Sequence, residues 1–333
     1  MMTGDTPHAG NGVGDRRGGD RFGVRWGLAG GTALTSIDEV RAVARFADAA
    51  GFDSFWISHA NAVDPIVALA SVAEDMSKLR EVGTSVVPLY GRHPIGVAQL
   101  ARTAQSALGG RFTLGVGAAS KGAVGTAMGL LWDKPLAYTS EFIDGLQPLL
   151  AGRPADIDGT QVTTHSQLNI TAADTPILLA ALGPKMLALA GARVAGTTLG
   201  QCGPRTIATY VGPALRAAAD AAGRPSPRIM ALIRICVTND RGGAFALAQK
   251  TAQMYRQVPS YAAVQDKEGL KDPAELHLIG TWDDVLEGLG AYAQAGVTDF
   301  RLEVAAHNSE AREATLAALA DHLRRDPQRV TIC

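Results

Sequence analysis

His59 is the side chain in this sequence best placed to move protons. It follows the strand candidate 52–58 (FDSFWIS) and shares a polar cluster with Asn61 and Asp64. An imidazole ordinarily titrates near neutrality, which suits a general acid or base. The same position equally suits a structural hydrogen bond, so both readings stand. Metal chemistry is poorly served: His59 and Asp64 could share a site, but there is no HxH or HExxH, and carboxylates are sparse at the other strand ends. No metal is expected. Nucleophilic catalysis lacks a GxSxG elbow, and Cys202 reads as a small buried filler as readily as a nucleophile.

A second stretch with chemical potential is 175–196, TPILLAALGPKMLALAGARVAG. Residues 176–181 are short and apolar, as a strand covered on both faces requires. Gly183 and Pro184 interrupt it, and from Lys185 the apolar residues Met186, Leu187, Leu189 and Ala190 fall at helical spacing. A helix that starts this way presents unpaired N–H groups and the positive end of its dipole, with Lys185 beside them. Two readings follow: a cradle for an anion such as a cofactor phosphate, or an ordinary strand-to-helix turn.

The elements that must position these residues repeat along the chain. Strands are expected at 22–29, 52–58, 82–87, 111–117, 176–181, 197–202, 228–237 and 297–304, each followed by a helical pattern. Ser36 with Glu39, and Thr281 with Asp284, read as helix N-terminal caps. The segments AAGFDSFW (49–56) and QAGVTDFR (294–301) echo one another: helix end, cap glycine, buried strand. Eight such units predict an α/β fold, a (β/α)8 TIM barrel with insertions near 118–135, 152–174 and 257–280. No GxGxxG follows the first strand, which counts against a doubly wound dinucleotide-binding sheet.

In a barrel the candidates lie at the C-terminal strand ends: Ser58, His59, Ser85 to Pro88, Gly117 to Ser120, Ala181 to Lys185, Gln201, and Glu303 with His307. A pocket lined by such small residues suits a large flat cofactor that carries the chemistry itself. Among the 333 residues, 47% are hydrophobic and 19% charged, and the net charge is −1. Nothing in that balance points to nucleic acid or to a membrane. Cys202, Cys236 and Cys333 are odd in number and far apart, as expected of reduced thiols in a cytoplasmic protein. Residues 1–20 carry glycine and charge but few apolar side chains, so they read as a disordered tail ahead of one domain at 21–333.

The run GTSVVPLYGRHPIGVAQLARTAQSALGGRFTLGVG (83–117) resembles the signature of the bacterial luciferase-like monooxygenase superfamily. AALGPKMLALAG (180–191) is similar to that superfamily's cofactor-phosphate segment, and GPRTIATYVGPALRAAADAAGRPSPRI (203–229) resembles its coenzyme F420-dependent branch. The resemblance runs in consistent order over residues 22–325. It implies a homodimeric (β/α)8 barrel that binds F420, with FMN as the alternative, and acts on a small-molecule substrate. It also implies a non-proline cis peptide at Ser85 and Val86, supporting the ring. Ring and chain contacts are implied at Ser58, Gly115, Gly117, Ala118 and Ala119, and a phosphate site at Ala181, Leu182, Gly183, Pro184, Lys185 and Met186. Some F420 enzymes of this family carry an Asp-His pair after the second strand; here the pair is Ser58-His59, which matches the histidine alone.

The function implied is hydride transfer by an F420-dependent oxidoreductase, with His59 as the candidate proton handler. Arg92 and Arg205 are placed to meet the cofactor's acidic tail or to be solvated surface residues, and Trp132, Tyr138 and His165 to cover the pocket or to pack. An FMN-dependent two-component monooxygenase and a non-catalytic flavin-binding barrel are the alternatives.

Overall fold

The computed structural model describes residues 22–325; the tail expected at 1–20 and Cys333 lie outside them. Eight parallel strands form a ring. They are β1 (Arg25–Ala29), β2 (Ser54–Ile57), β3 (Glu81–Thr84), β4 (Phe112–Gly117), β5 (Ile177–Leu179), β6 (Gly196–Leu199), β7 (Arg228–Val237) and β8 (Asp299–Val304). Each pairs with the next, and β8 pairs with β1 to close the barrel, Arg25 lying opposite Asp299. Closure removes both free edges, and the expected (β/α)8 architecture is the one observed.

Around the ring run α1 (Ile37–Ala50), α2 (Pro65–Ser71), α3 (Pro94–Ala107), α4 (Pro135–Leu150), α5 (Pro184–Arg193), α6 (Gly212–Ala221), α7 (Arg241–Arg256), α8 (Pro259–Glu268), α9 (Trp282–Gln294) and α10 (Ser309–Arg325). A proline in the first turn opens α2, α3, α4, α5 and α8, where its missing N–H costs nothing. The two echoed glycines act alike. Gly51 ends α1 at φ +88° and Gly296 turns the chain into β8 at φ +93°, a region that favours glycine. At α1 the capping differs from the sequence reading: Ser36 caps the Glu39 N–H, but the Glu39 carboxylate accepts from the Thr35 backbone and hydroxyl. Among the described residues, no helix is long and apolar enough to cross a membrane.

Three connections are more ordered than their composition suggests. Residues 122–127 form a π-helical turn, and Ala155–Ile157 pairs with Thr164–Ser166 as an antiparallel hairpin. The polar segment 257–280 holds α8 and a short strand, Leu278–Gly280, that extends the sheet beside the end of β7. Glu268 fastens α8 to the barrel by accepting from the backbone N–H groups of Arg205 and Thr206.

Alternate strand residues point inward and fill the barrel. At its N-terminal end Arg228 bridges Glu81 (2.7 Å) and Asp299 (2.9 Å), and Arg25 reaches Asp299 (2.6 Å). Burial alone would push the Asp299 carboxyl up, but the two guanidiniums outweigh it and hold it below the usual carboxylate range. Above this layer Trp56 packs against Leu178 and Met230. Its bulk is accommodated by glycine: a Cβ on Gly83 would stand 2.4 Å from both the Trp56 ring and the Thr113 carbonyl.

Gly83→Ala is therefore expected to lower stability by about 1–3 kcal/mol, the usual penalty for overpacking. Gly122→Ala, with open space around its added Cβ, is the matched control. Thermal unfolding of both variants checks this; an unchanged midpoint in Gly83→Ala would contradict the packing account.

Candidate active site

The C-terminal end of the barrel carries two adjoining hollows. The first, about 200 Å3, lies between Ser58, His59, Ser85, Val86, Ala180 and Thr198. The second, about 260 Å3, lies toward β7, β8 and α7, and the two share Thr32, Ser58, Leu232, Tyr255 and Arg301.

The wall of the first hollow is built from the break in β3. After Thr84 the Ser85–Val86 peptide is cis, and Val87–Pro88 then resumes pairing beside Val116 and Gly117. The Ser85 carbonyl accepts from the Ser58 hydroxyl at 2.7 Å and from Nη1 of Arg301 at 2.9 Å, while the Ser85 and Thr198 hydroxyls lie 2.8 Å apart. The Val86 carbonyl accepts the His59 N–H at 3.3 Å. Four residues singled out in the sequence, Ser58, His59, Ser85 and Val86, are thus brought into one wall.

Gly115 has a structural reason of its own. A Cβ there would lie 1.9 Å from the Thr84 carbonyl, and Thr84 Oγ1 both donates to the Gly115 carbonyl and accepts its N–H. Gly117 lies close to Val86, whose Cγ2 would be 3.1 Å from an added Cβ. Beyond it the Ala118 carbonyl accepts from the Trp132 indole, and Ala119 turns the chain at φ +56°.

His59 lies beside an ion pair. Asp64 caps α2 through the N–H groups of Ile66 and Val67 and accepts from Arg92 at 2.6 Å. Among the described residues, no group of three potential metal ligands is assembled. Partial burial and the Arg92 charge lower the His59 pKa, with Asp64 opposing them in part, so the ring is biased toward its neutral form.

The start of α5, read in the sequence as either an anion cradle or an ordinary turn, has an uncapped first turn. Ala181 is buried, and the Leu182 carbonyl accepts from the Tyr210 hydroxyl at 3.1 Å. Gly183 is the N-cap, no side chain caps the helix, and Pro184 follows. The first intrahelical bond runs from Leu187 to the Gly183 carbonyl, which leaves the N–H groups of Lys185 and Met186 without a helical acceptor. Nothing lies within 4 Å of where a Gly183 Cβ would be, so the approach is open.

Other candidates are drawn elsewhere. Gln201 does line the first hollow, at φ +58°, and accepts from Gln265. His307 instead pairs with Asp240 at the start of α7, and His165 is held on the exposed hairpin between Asp156 and Asp158. Tyr138 stacks on Tyr90 with centroids 4.1 Å apart, so it packs rather than covers the site. Cys202 is buried, and burial pushes its thiol pKa far upward, which leaves it a poor nucleophile. Arg205 is exposed and takes no part in either hollow.

The sequence reading missed Arg301 and Arg234, which line the second hollow with Glu303 and Tyr255. The available signal was alternation. Arg301 and Glu303 occupy every second position of β8, and Arg234 is in step with Met230 and Leu232 of β7, so all face the barrel interior.

The family model described as luciferase-like monooxygenase matches residues 22–299. A 5,10-methylenetetrahydromethanopterin reductase of Methanolobus tindarius is 31% identical over 240 residues, covering 71% of this chain and 72% of the relative. An F420-dependent secondary alcohol dehydrogenase solved with an F420–acetone adduct superposes with a TM-score of 0.77 at 19% identity, covering 92% of this chain and 99% of that one. The oxygenating constituent of 3,6-diketocamphane monooxygenase from a Pseudomonas putida plasmid, solved with FMN, gives 0.72 at 18% identity, covering 93% and 99%. At these identities the two structures speak to the fold.

The lowered His59 pKa predicts an NMR titration midpoint below 6.5. Arg92→Met should move it upward, by removing one positive charge and freeing the Asp64 carboxylate. A midpoint above 6.5 in the unaltered protein, or a downward shift in the variant, would contradict the assigned electrostatics.

Proposed function

The chain belongs to the luciferase-like monooxygenase family and is an oxidoreductase, and from that premise we propose that it is a coenzyme F420-dependent enzyme moving a hydride between the deazaflavin and a small organic substrate. The observation that carries this choice is that the relative at 31% identity is named a reductase, not an oxygenase. Residues 203–229, which resemble the F420 branch, support the same choice.

The residues present fit such a cofactor. A hollow beside Ser85–Val86 is open to a flat ring, and the uncapped start of α5 suits a phosphate. When bound, the deazaflavin supplies a hydride donor or acceptor at carbon 5. The chain supplies the rest. Ser85 and Val86 would bear against one face of the ring, with Ser58 fixing the Ser85 carbonyl. The backbone of Gly117, Ala118 and Ala119 would border the cofactor. The N–H groups of Lys185 and Met186, with the Lys185 ammonium, would hold the phosphate, while Ala181, Leu182, Gly183 and Pro184 shape the turn. His59, at the rim, would hold or deliver the one proton the reaction needs. Arg301 beneath the Ser85 carbonyl keeps this wall in place.

Titration of the purified protein with F420 and with FMN, followed by fluorescence, tests the reading. Tight F420 binding with weak FMN binding is expected; tight FMN binding without F420 binding would overturn it in favour of a flavin monooxygenase. Gly183→Val should weaken F420 binding by at least about tenfold while leaving the ligand-free thermal midpoint unchanged, because its Cβ meets nothing in the protein. Equal loss of binding and stability would return this segment to a structural turn.

A further inference from the structure

We propose that the second hollow, between β7, β8 and α7, is the substrate chamber, and that it takes a molecule with an apolar body and a carboxylate, the carboxylate meeting Arg301. The proposal rests on the F420 reading, which fills the neighbouring hollow with the ring. Charge is the first argument. Nε of Arg234 pairs with Glu303 at 2.8 Å, so that cation is matched. Arg301 is not matched in the same way: Nη1 meets the neutral Ser85 carbonyl and Ser58 hydroxyl, and its Nε donor is buried without a partner in a residue only 4% exposed.

Two guanidiniums against one carboxylate leave the chamber with an excess of one positive charge. Burial, with the neighbouring Arg234, brings the Arg301 pKa down to about 10 despite Glu303, the mark of a cation short of a counter-charge. A carboxylate offers a guanidinium two acceptors in a matching plane and would relieve that shortage. Position is the second argument. Arg301 lines both hollows, so a carboxylate held there sets the adjoining carbons beside the Ser85–Val86 wall. Beside the hydroxyl groups of Thr32, Ser58, Thr251 and Tyr255, the chamber carries Leu232, Leu247 and Met254, which suit a hydrocarbon body.

The test uses trans-cinnamate and its uncharged analogue cinnamamide as probes, with binding to the cofactor-free protein measured by ligand-observed NMR. Cinnamate should bind at least about tenfold more tightly than cinnamamide. Arg301→Gln should abolish that preference. Because this buried change could also disturb folding, Glu303→Gln provides an independent arm: removing the competing carboxylate should tighten cinnamate severalfold and leave cinnamamide unchanged. Equal binding of the two probes by the unaltered protein, or weaker cinnamate binding in Glu303→Gln, would overturn the proposal. A separate F420 titration keeps the two ideas apart. Cinnamate preference without F420 binding would remove the cofactor reading and retain the carboxylate site, whereas F420 binding without the preference would remove the site alone.

Discussion

A single buried guanidinium organises the mouth of this barrel. Arg301 extends from β8 across the interior to the Ser85 carbonyl, on the far side of β1 and β2, and meets the Ser58 hydroxyl there. Hydrogen bonds to a charged donor are stronger than neutral ones, and inside a protein they are weakly screened. Ser58, Ser85 and Thr198 are linked through this point, so with Arg301 four strands or their ends, those of β2, β3, β6 and β8, share one polar seam. The wall on which a planar cofactor would rest is fixed by that seam. So is the boundary with the second hollow.

The two ends of the barrel use charge differently. At the N-terminal end, Arg25 and Arg228 face Glu81 and Asp299, so charges balance and the interior is closed by ion pairs. At the C-terminal end, among the described residues lining the second hollow, Glu303 is the one carboxylate set against Arg234 and Arg301. The N-terminal network is matched, and the excess charge at the C-terminal end is the feature on which the proposed carboxylate site rests. The opening of α5, where the phosphate site is proposed, has its backbone donors uncapped and its approach clear. Trp56 separates the two ends, filling the middle of the barrel in space left by Gly27 and Gly83.

Much of the fold was legible in the sequence because it depends on local signals: apolar runs of strand length, prolines in first helical turns, and the glycines at 51 and 296. The start of α5 and the contribution of Ser58, His59, Ser85 and Val86 were legible for the same reason, since they follow strands that could be located. What the sequence could not reveal was which charges meet. Arg301 and Ser85 are 216 positions apart, and only closure of the barrel joins them. The ordered content of 257–280 was hidden because α8 is anchored by Glu268 to a distant turn rather than by an apolar stripe. His307 and His165 looked available by position, but each is held by a nearby aspartate.

The central claim is that the Ser85–Val86 wall and the start of α5 together hold one F420 molecule. The most direct measurement is a crystal structure of the protein soaked with F420. The account predicts the deazaflavin ring against Ser85 and Val86, with the phosphate accepting hydrogen bonds from the N–H groups of Lys185 and Met186. A ring bound elsewhere, or a phosphate remote from Gly183, would contradict it.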